Sequence, residues 1–151
     1  MADMFASCTG LTSLDLTNFD TDNEKYMKQM FNNCSRLKIL NISNFNTSNV
    51  YEMFDMFNKC SSITILDLSS FDTRRVYDMC YMFKGCESLT TIYVETNWIT
   101  ANATKSIYMF LDCKLLVGSA GTKYDATKTD KTYARIDGGE SAPGYFTLKT
   151  V

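Results

Sequence analysis

The chain has 151 residues, 45% of them hydrophobic and 13% aromatic, which is enough to bury one continuous core, so a single domain is expected. Net charge is −2 and no basic run is longer than Arg74-Arg75, which excludes the electrostatic footprint of a nucleic-acid binder. Histidine is absent, which removes the commonest general base and the base of Ser-His-Asp and Cys-His systems, and no apolar run approaches the roughly 18 residues of a membrane span.

From the first residue onward the chain repeats. Met-Phe-x-x-Cys begins at Met4, Met30, Met56, Met82 and Met109, at steps of 26, 26, 26 and 27 residues. A fixed period of that length is the signature of stacked units. Met1 aligns with Met27, Met53 and Met79, so the first unit opens without an atypical cap. That reads as a segment of a longer chain, the alternative being a complete short one, and its open N-terminal face is a candidate surface for self-association. MADMFASCTG lacks the basic start and apolar middle of a signal peptide.

Within a unit, Met27, Met30, Phe31 and Cys34 fall at i, i+3, i+4 and i+7, as do Met53, Met56, Phe57, Cys60 and Met79, Met82, Phe83, Cys86. This spacing predicts an apolar helical stripe. Thr21 with Glu24, and Asn49 with Glu52, read as capping boxes ahead of it. Cys8, Cys34, Cys60 and Cys86 are each followed by apolar residues at +3, +6 and +8, and three of them by an aromatic at +11: Phe19, Phe45, Phe71, with Trp98 one place late in the fourth. Leu14-Asp15-Leu16, Leu40-Asn41-Ile42, Ile65-Leu66-Asp67-Leu68 and Ile92-Tyr93-Val94 alternate as short strands. The expected fold is α/β: a right-handed, leucine-rich-repeat-like solenoid of ~26-residue helix-strand units over residues 1–117, about four and a half coils with a parallel sheet.

Residues 118–151 have another composition, with five of the seven glycines and the only proline between Gly118 and Gly144. Tyr133–Asp137 and Tyr145–Leu148 read as two antiparallel strands, a small β-hairpin cap over the last coil.

Cys8, Cys34, Cys60, Cys86 and Cys113 share one repeat position and are expected to line up inward as small hydrophobes. Disulfides between neighbouring rungs are the alternative. Zinc has little support without a C-x2-C pair or any histidine. No cofactor motif is present, neither the phosphate-cradling nor the dinucleotide-binding glycine pattern. Asp15, Asn41, Asp67 and Tyr93 point out from the strands, with Ile39 and Ile65 beside them. This column is either a partner-binding face or a solvated polar surface. It is the only ordered acidic column, and a glycosidase pair in it is the remote enzymatic reading. Tyr51, Tyr77, Tyr81, Tyr93, Tyr108 and Trp98 fall off the inward register and are candidate exposed anchors.

The units "MKQMFNNCSRLKILNISNFNTSNV" and "MFDMFNKCSSITILDLSSFDTRRV" resemble repeats of BspA-like leucine-rich-repeat surface proteins, in particular the branch first defined on Mycoplasma lipoproteins. "GTKYDATKTDKTYARIDGGESAPGYFT" is similar to the segment that often follows the last repeat there. The resemblance implies a bacterial cell-surface or secreted, non-catalytic module that binds a protein or glycan, for which the outward residues Asp15, Asn41, Asp67, Tyr93, Ile39 and Ile65, with Trp98, are the candidate face. A structural spacer is the alternative.

Overall fold

The computed structural model describes residues 1–150; Val151, the last residue of the expected closing segment, lies outside the described residues. Five short strands are present: β1 (Ser13–Asp15), β2 (Ile39–Asn41), β3 (Ile65–Asp67), β4 (Thr91–Val94) and β5 (Phe146–Leu148). They form two small parallel sheets, β1-β2 and β3-β4-β5. Ser13 pairs with Ile39 and Asp15 with Asn41, while Ile65 pairs with Thr91 and Asp67 with Tyr93. Equivalent residues of successive units therefore stand side by side wherever strands pair.

The expected helix-strand solenoid is overturned. Among the described residues there is no α-helix, only the single 3-10 turns Lys131–Tyr133 and Gly139–Ser141. The segments predicted as helices are chains of tight turns, and the reason lies in backbone direction. In the second unit the amides of Met27, Gln29, Phe31 and Asn33 donate to the carbonyls of Glu52, Phe54, Met56 and Asn58 in the next unit, at 2.7–3.0 Å. The amides between them, Met30, Asn32 and Cys34, donate three residues back, to Met27, Gln29 and Phe31. An α-helix would send every amide to its own i−4 carbonyl and leave none for a neighbour.

Alternation is made possible by a left-handed residue every fourth place: Asp3 and Ser7, Gln29 and Asn33, Asp55 and Lys59, Tyr81 and Gly85, Tyr108 and Asp112, all at φ between 52° and 73°. Such residues break a helix, because beyond glycine only Asn and Asp take that conformation at small cost. Four-residue turns direct side chains inward at the same i, i+3, i+4, i+7 spacing, so the apolar stripe is real and the helix is not. Asn33→Ala separates the two geometries by sign. A helix would gain up to about 0.7 kcal/mol from the alanine, whereas this turn, with Asn33 at φ 61°, is expected to lose about 1 kcal/mol. Urea denaturation checks it, and a gain would refute the turn geometry.

The predicted capping boxes do other work. The buried Thr21 hydroxyl accepts from the Asn46 amide at 2.8 Å and donates to its carbonyl at 3.2 Å. Thr47 does the same to Asp72, and Thr73 to Ile99. Each threonine thus clasps its unit to the next. Asn49 likewise reaches back across units, donating Nδ2–H to the Asp22 carbonyl.

Between these lines lies a dry core. Phe5, Phe31, Phe57, Phe83 and Phe110 stack in one column with ring centroids 5.5–5.8 Å apart, and all but Phe5 are fully buried. Phe45 and Phe71 stack in a second column at 6.5 Å. A unit alone would leave both faces of its ring in water, so burial of these aromatics requires the neighbours.

The expected antiparallel hairpin after residue 117 is also corrected. Tyr133 ends a 3-10 turn, Ile136 makes a single parallel bridge to Phe146, and β5 joins β4 in parallel, Ile92 opposite Phe146. The segment thereby continues the stack in place of a further unit. The Phe110 amide, for which no next unit exists in the described chain, donates to Thr129 at 2.9 Å. Phe146 sits edge-on to Trp98, Phe110 and Phe83.

The closing segment is organised by Asp137, which is buried. Its carboxylate accepts from the amides of Ala120 (2.9 Å), Thr122 (3.0 Å), Gly139 (3.0 Å) and Gly144 (3.4 Å), and from the Thr122 hydroxyl (2.7 Å). Gly118 and Gly144 leave room for this knot. A Cβ on Gly118 would lie 2.2 Å from the Gly144 carbonyl, and one on Gly144 2.3 Å from that of Arg135. Among the described residues no helix is long and apolar enough to cross a membrane.

Candidate functional site

On the sheet face, Asp15, Asn41 and Asp67 stand at the ends of β1, β2 and β3, and each closes the turn that follows. Their Oδ1 atoms accept from the amides of Thr17 (3.0 Å), Ser43 (3.3 Å) and Ser69 (3.1 Å). The Thr17 amide and hydroxyl lower the Asp15 carboxyl below its ordinary value. For Asp67, burial pulls upward, but the hydrogen bonds from Ser69 and the nearby Lys149 outweigh it and the net shift is downward. Both are therefore stable anions at neutral pH, and neither holds the proton that a general acid must give. Lys149 pairs with Asp67 at 3.0 Å and lies 4.7 Å over the Tyr93 ring, so the C-terminal segment partly covers that end of the column.

Ile39 and Ile65 lie at the same repeat position and are 67% and 52% exposed. Their counterparts in the flanking units are the polar Ser13 and Thr91. Two exposed isoleucines, at the starts of β2 and β3, thus each stand beside a polar residue on the paired strand. Trp98 does not belong to it. The indole is 8% exposed, donates Nε1–H to the Ala134 carbonyl at 3.2 Å and packs edge-on against Phe146 at 5.0 Å, so its place on the expected face is corrected. The 27-residue step adds its extra residue before Trp98 and leaves the ring under the closing segment.

All six cysteines are free thiols. In the ladder, the thiols of Cys34, Cys60, Cys86 and Cys113 donate to the carbonyls of Phe5, Phe31, Phe57 and Phe83 one unit back, at 3.0–3.2 Å. Burial raises the Cys34 thiol and pushes Cys60, Cys86 and Cys113 well above the ordinary thiol range, which disfavours the reactive thiolate. No group of three or more His, Cys, Asp or Glu side chains able to hold a metal occurs among the described residues.

A second feature lies on the turn ladder, away from the sheet. There the side chains of Phe54, Tyr81 and Tyr108 form an outer column with ring centroids 5.8 and 5.9 Å apart. It ends in a cleft of about 640 Å³ between the fifth, partial unit and the closing segment. Ser106, Ile107 and Tyr108 line it together with Cys80 of the preceding unit, and Thr127, Thr129 and Asp130 line it from the closing segment. Ile107 is 50% and Tyr108 44% exposed. Tyr81 and Tyr108 are among the aromatics that the sequence marks as off register. Ile107 carried a weaker signal, as the apolar successor of Lys28, Phe54 and Cys80 at one repeat position. Asp130 carried none, because only the fold brings it across from residues 106–108.

The family model described as "Mycoplasma protein of unknown function, DUF285" matches residues 1–128. No curated protein and no solved structure matches the chain.

Proposed function

We propose, from the premise that this chain belongs to the DUF285 family, that it is a non-catalytic interaction module of a bacterial cell-surface or secreted protein and that its sheet face binds another protein. The resemblance of its repeats to those of BspA-like surface proteins supports the location. The observation that carries the binding reading is the exposed pair Ile39 and Ile65 amid polar neighbours. Burying their exposed half to two thirds against a partner would contribute about 1–2 kcal/mol each, with Asp15, Asn41 and Asp67 as the polar rim around them. Rigidity of the stacked turns suits this role, since little ordering entropy would be lost on association.

The test is binding of the immobilised protein to a panel of extracellular-matrix proteins. An Ile39→Asp/Ile65→Asp variant is expected to bind at least about tenfold more weakly, the loss of roughly one half-buried isoleucine, at unchanged melting temperature. Absence of binding across the panel, or binding that the double variant leaves intact, would sink this reading and favour a structural spacer.

A further inference from the structure

We infer that the cleft between the fifth, partial unit and the closing segment is a second, independent binding site, and that its ligand is a neutral oligosaccharide stacked on Tyr108. Three features meet there and at no other point on the turn ladder. First, the repeat changes character along its length: the left-handed position holds Gln29 and Asp55 in the middle units but Tyr81 and Tyr108 in the last two, while the place before it runs Lys28, Phe54, Cys80, Ile107. Second, the closing segment stands opposite, tied on by the Phe110 amide to Thr129 and by the Lys131 amide to the Ser106 hydroxyl at 3.3 Å, and this turns a flat surface into a cleft. Third, polar groups face the rings. Asp130 spends Oδ1 on the amide and hydroxyl of Thr132, at 2.9 and 2.6 Å, while among the described residues Oδ2 takes no hydrogen bond and is open as an acceptor.

Such a lining selects by chemistry. An exposed ring and an isoleucine call for an apolar ligand face, and hydroxyls and a carboxylate call for ligand hydroxyls at its edge. A pyranose ring offers both, with C–H bonds on its face and hydroxyls around its rim. At about 640 Å³ the cleft falls within the range of roughly 300–1,000 Å³ usual for small-ligand sites and has room for more than one sugar ring. Anionic ligands are disfavoured. The lining cation is Lys105, and it is already paired with Asp78 at 3.7 Å, while Asp130 adds a negative charge. A phosphate or sulfate would have to compete with Asp78 for Lys105 and with Asp130 for the nearby Lys128, which argues against nucleotides and sulfated glycans.

The test is calorimetric titration of the whole chain with cellohexaose and with chitohexaose, and with ADP and a heparin hexasaccharide as anionic comparators. A neutral sugar is expected to bind in the micromolar to millimolar range, with saturation transfer to the Tyr108 ring signals in the wild-type protein. Tyr108→Ala is expected to weaken binding by roughly three- to tenfold, the worth of one ring contact, and Tyr108→Phe to restore it. Asp130→Asn keeps the Oδ1 acceptor for Thr132 and is expected to weaken binding as well. Ile107→Asp, at an exposed position, gives a second probe should Tyr108→Ala disturb folding. Failure of both neutral sugars to bind, binding indifferent to all three weakening variants, or preferential binding of ADP or heparin would each overturn the assignment. None of these outcomes bears on Ile39 and Ile65, so this site and the sheet face are judged separately.

Discussion

Asp137→Ala is expected to destabilise the protein by about 3–5 kcal/mol, the largest loss available from a single polar side chain here. The carboxylate receives five hydrogen bonds from three stretches of chain, residues 120–122, Gly139 and Gly144. Removing it leaves four amides and a hydroxyl without their acceptor in a largely dry place, and each orphan of that kind costs about 1–3 kcal/mol before relaxation. Trp98, the only tryptophan, lies under this segment and reports its loss by fluorescence during denaturation. Asp137→Asn, which keeps one acceptor oxygen, should fall between wild type and alanine. A loss below about 1 kcal/mol for the alanine variant would show that the knot is not what holds the segment.

The same carboxylate sets an acid limit. Burial raises its pKa, but the hydrogen bonds from Thr122, Gly139 and Ala120 outweigh that and hold it at about 2, against 3.8 in the open chain. Because the folded value is the lower one, the contribution is complete above the open-chain value and is lost as pH falls from there through about 2. The amount at stake is about 2 kcal/mol. Wild type should therefore lose stability between about pH 4 and pH 2 more steeply than Asp137→Asn.

Phe57→Ala is the other large effect, at about 3–5 kcal/mol. The ring is fully buried and stacks on both sides, on Phe31 at 5.5 Å and Phe83 at 5.7 Å. Its loss opens a cavity at the middle of the column and removes two aromatic contacts worth about 0.5–1.5 kcal/mol each. Phe5 occupies the same place in the first unit but is only partly buried and stacks in that column on Phe31 alone, so Phe5→Ala should cost about half as much. Urea denaturation of the two variants decides the matter. Equal losses would mean that units do not stabilise each other through shared faces.

Period, inward side chains and strand positions were legible because burial imposes them directly on residue type. Every fourth-residue pattern such as Met27, Met30, Phe31, Cys34 had to face a core, and it does. Backbone form was not legible from that pattern, since a helix and a row of four-residue turns bury the same positions. The distinguishing information was present but faint: Asn33, Asp55, Gly85 and Asp112 recur where a left-handed residue is needed, yet Gln29, Lys59, Tyr81 and Tyr108 share those sites and blur it. For Trp98, two signals conflicted. Its equivalence to Phe19, Phe45 and Phe71 placed it inside, while its one-residue offset suggested exposure, and the inward equivalence prevails. The cleft depended on residues 127–130 meeting residues 104–108, a juxtaposition with no repeat to announce it.

The alternating amides of the turn ladder also give the column a head and a tail. Within the turns the inter-unit bonds run from a lower-numbered N–H to a higher-numbered carbonyl, from Asp3, Phe5 and Ser7 through to Gly85, whereas Tyr51, Tyr77 and Lys105, just ahead of the turns, donate the other way. The first unit therefore turns only oxygens outward along this line, those of Ala2, Met4 and Ala6, in the places where Lys28, Met30 and Asn32 accept. Two copies related by a twofold axis through that end would set oxygen against oxygen, so a symmetric dimer cannot be zipped together along this line. A surface that pairs with these three oxygens must bring hydrogen-bond donors.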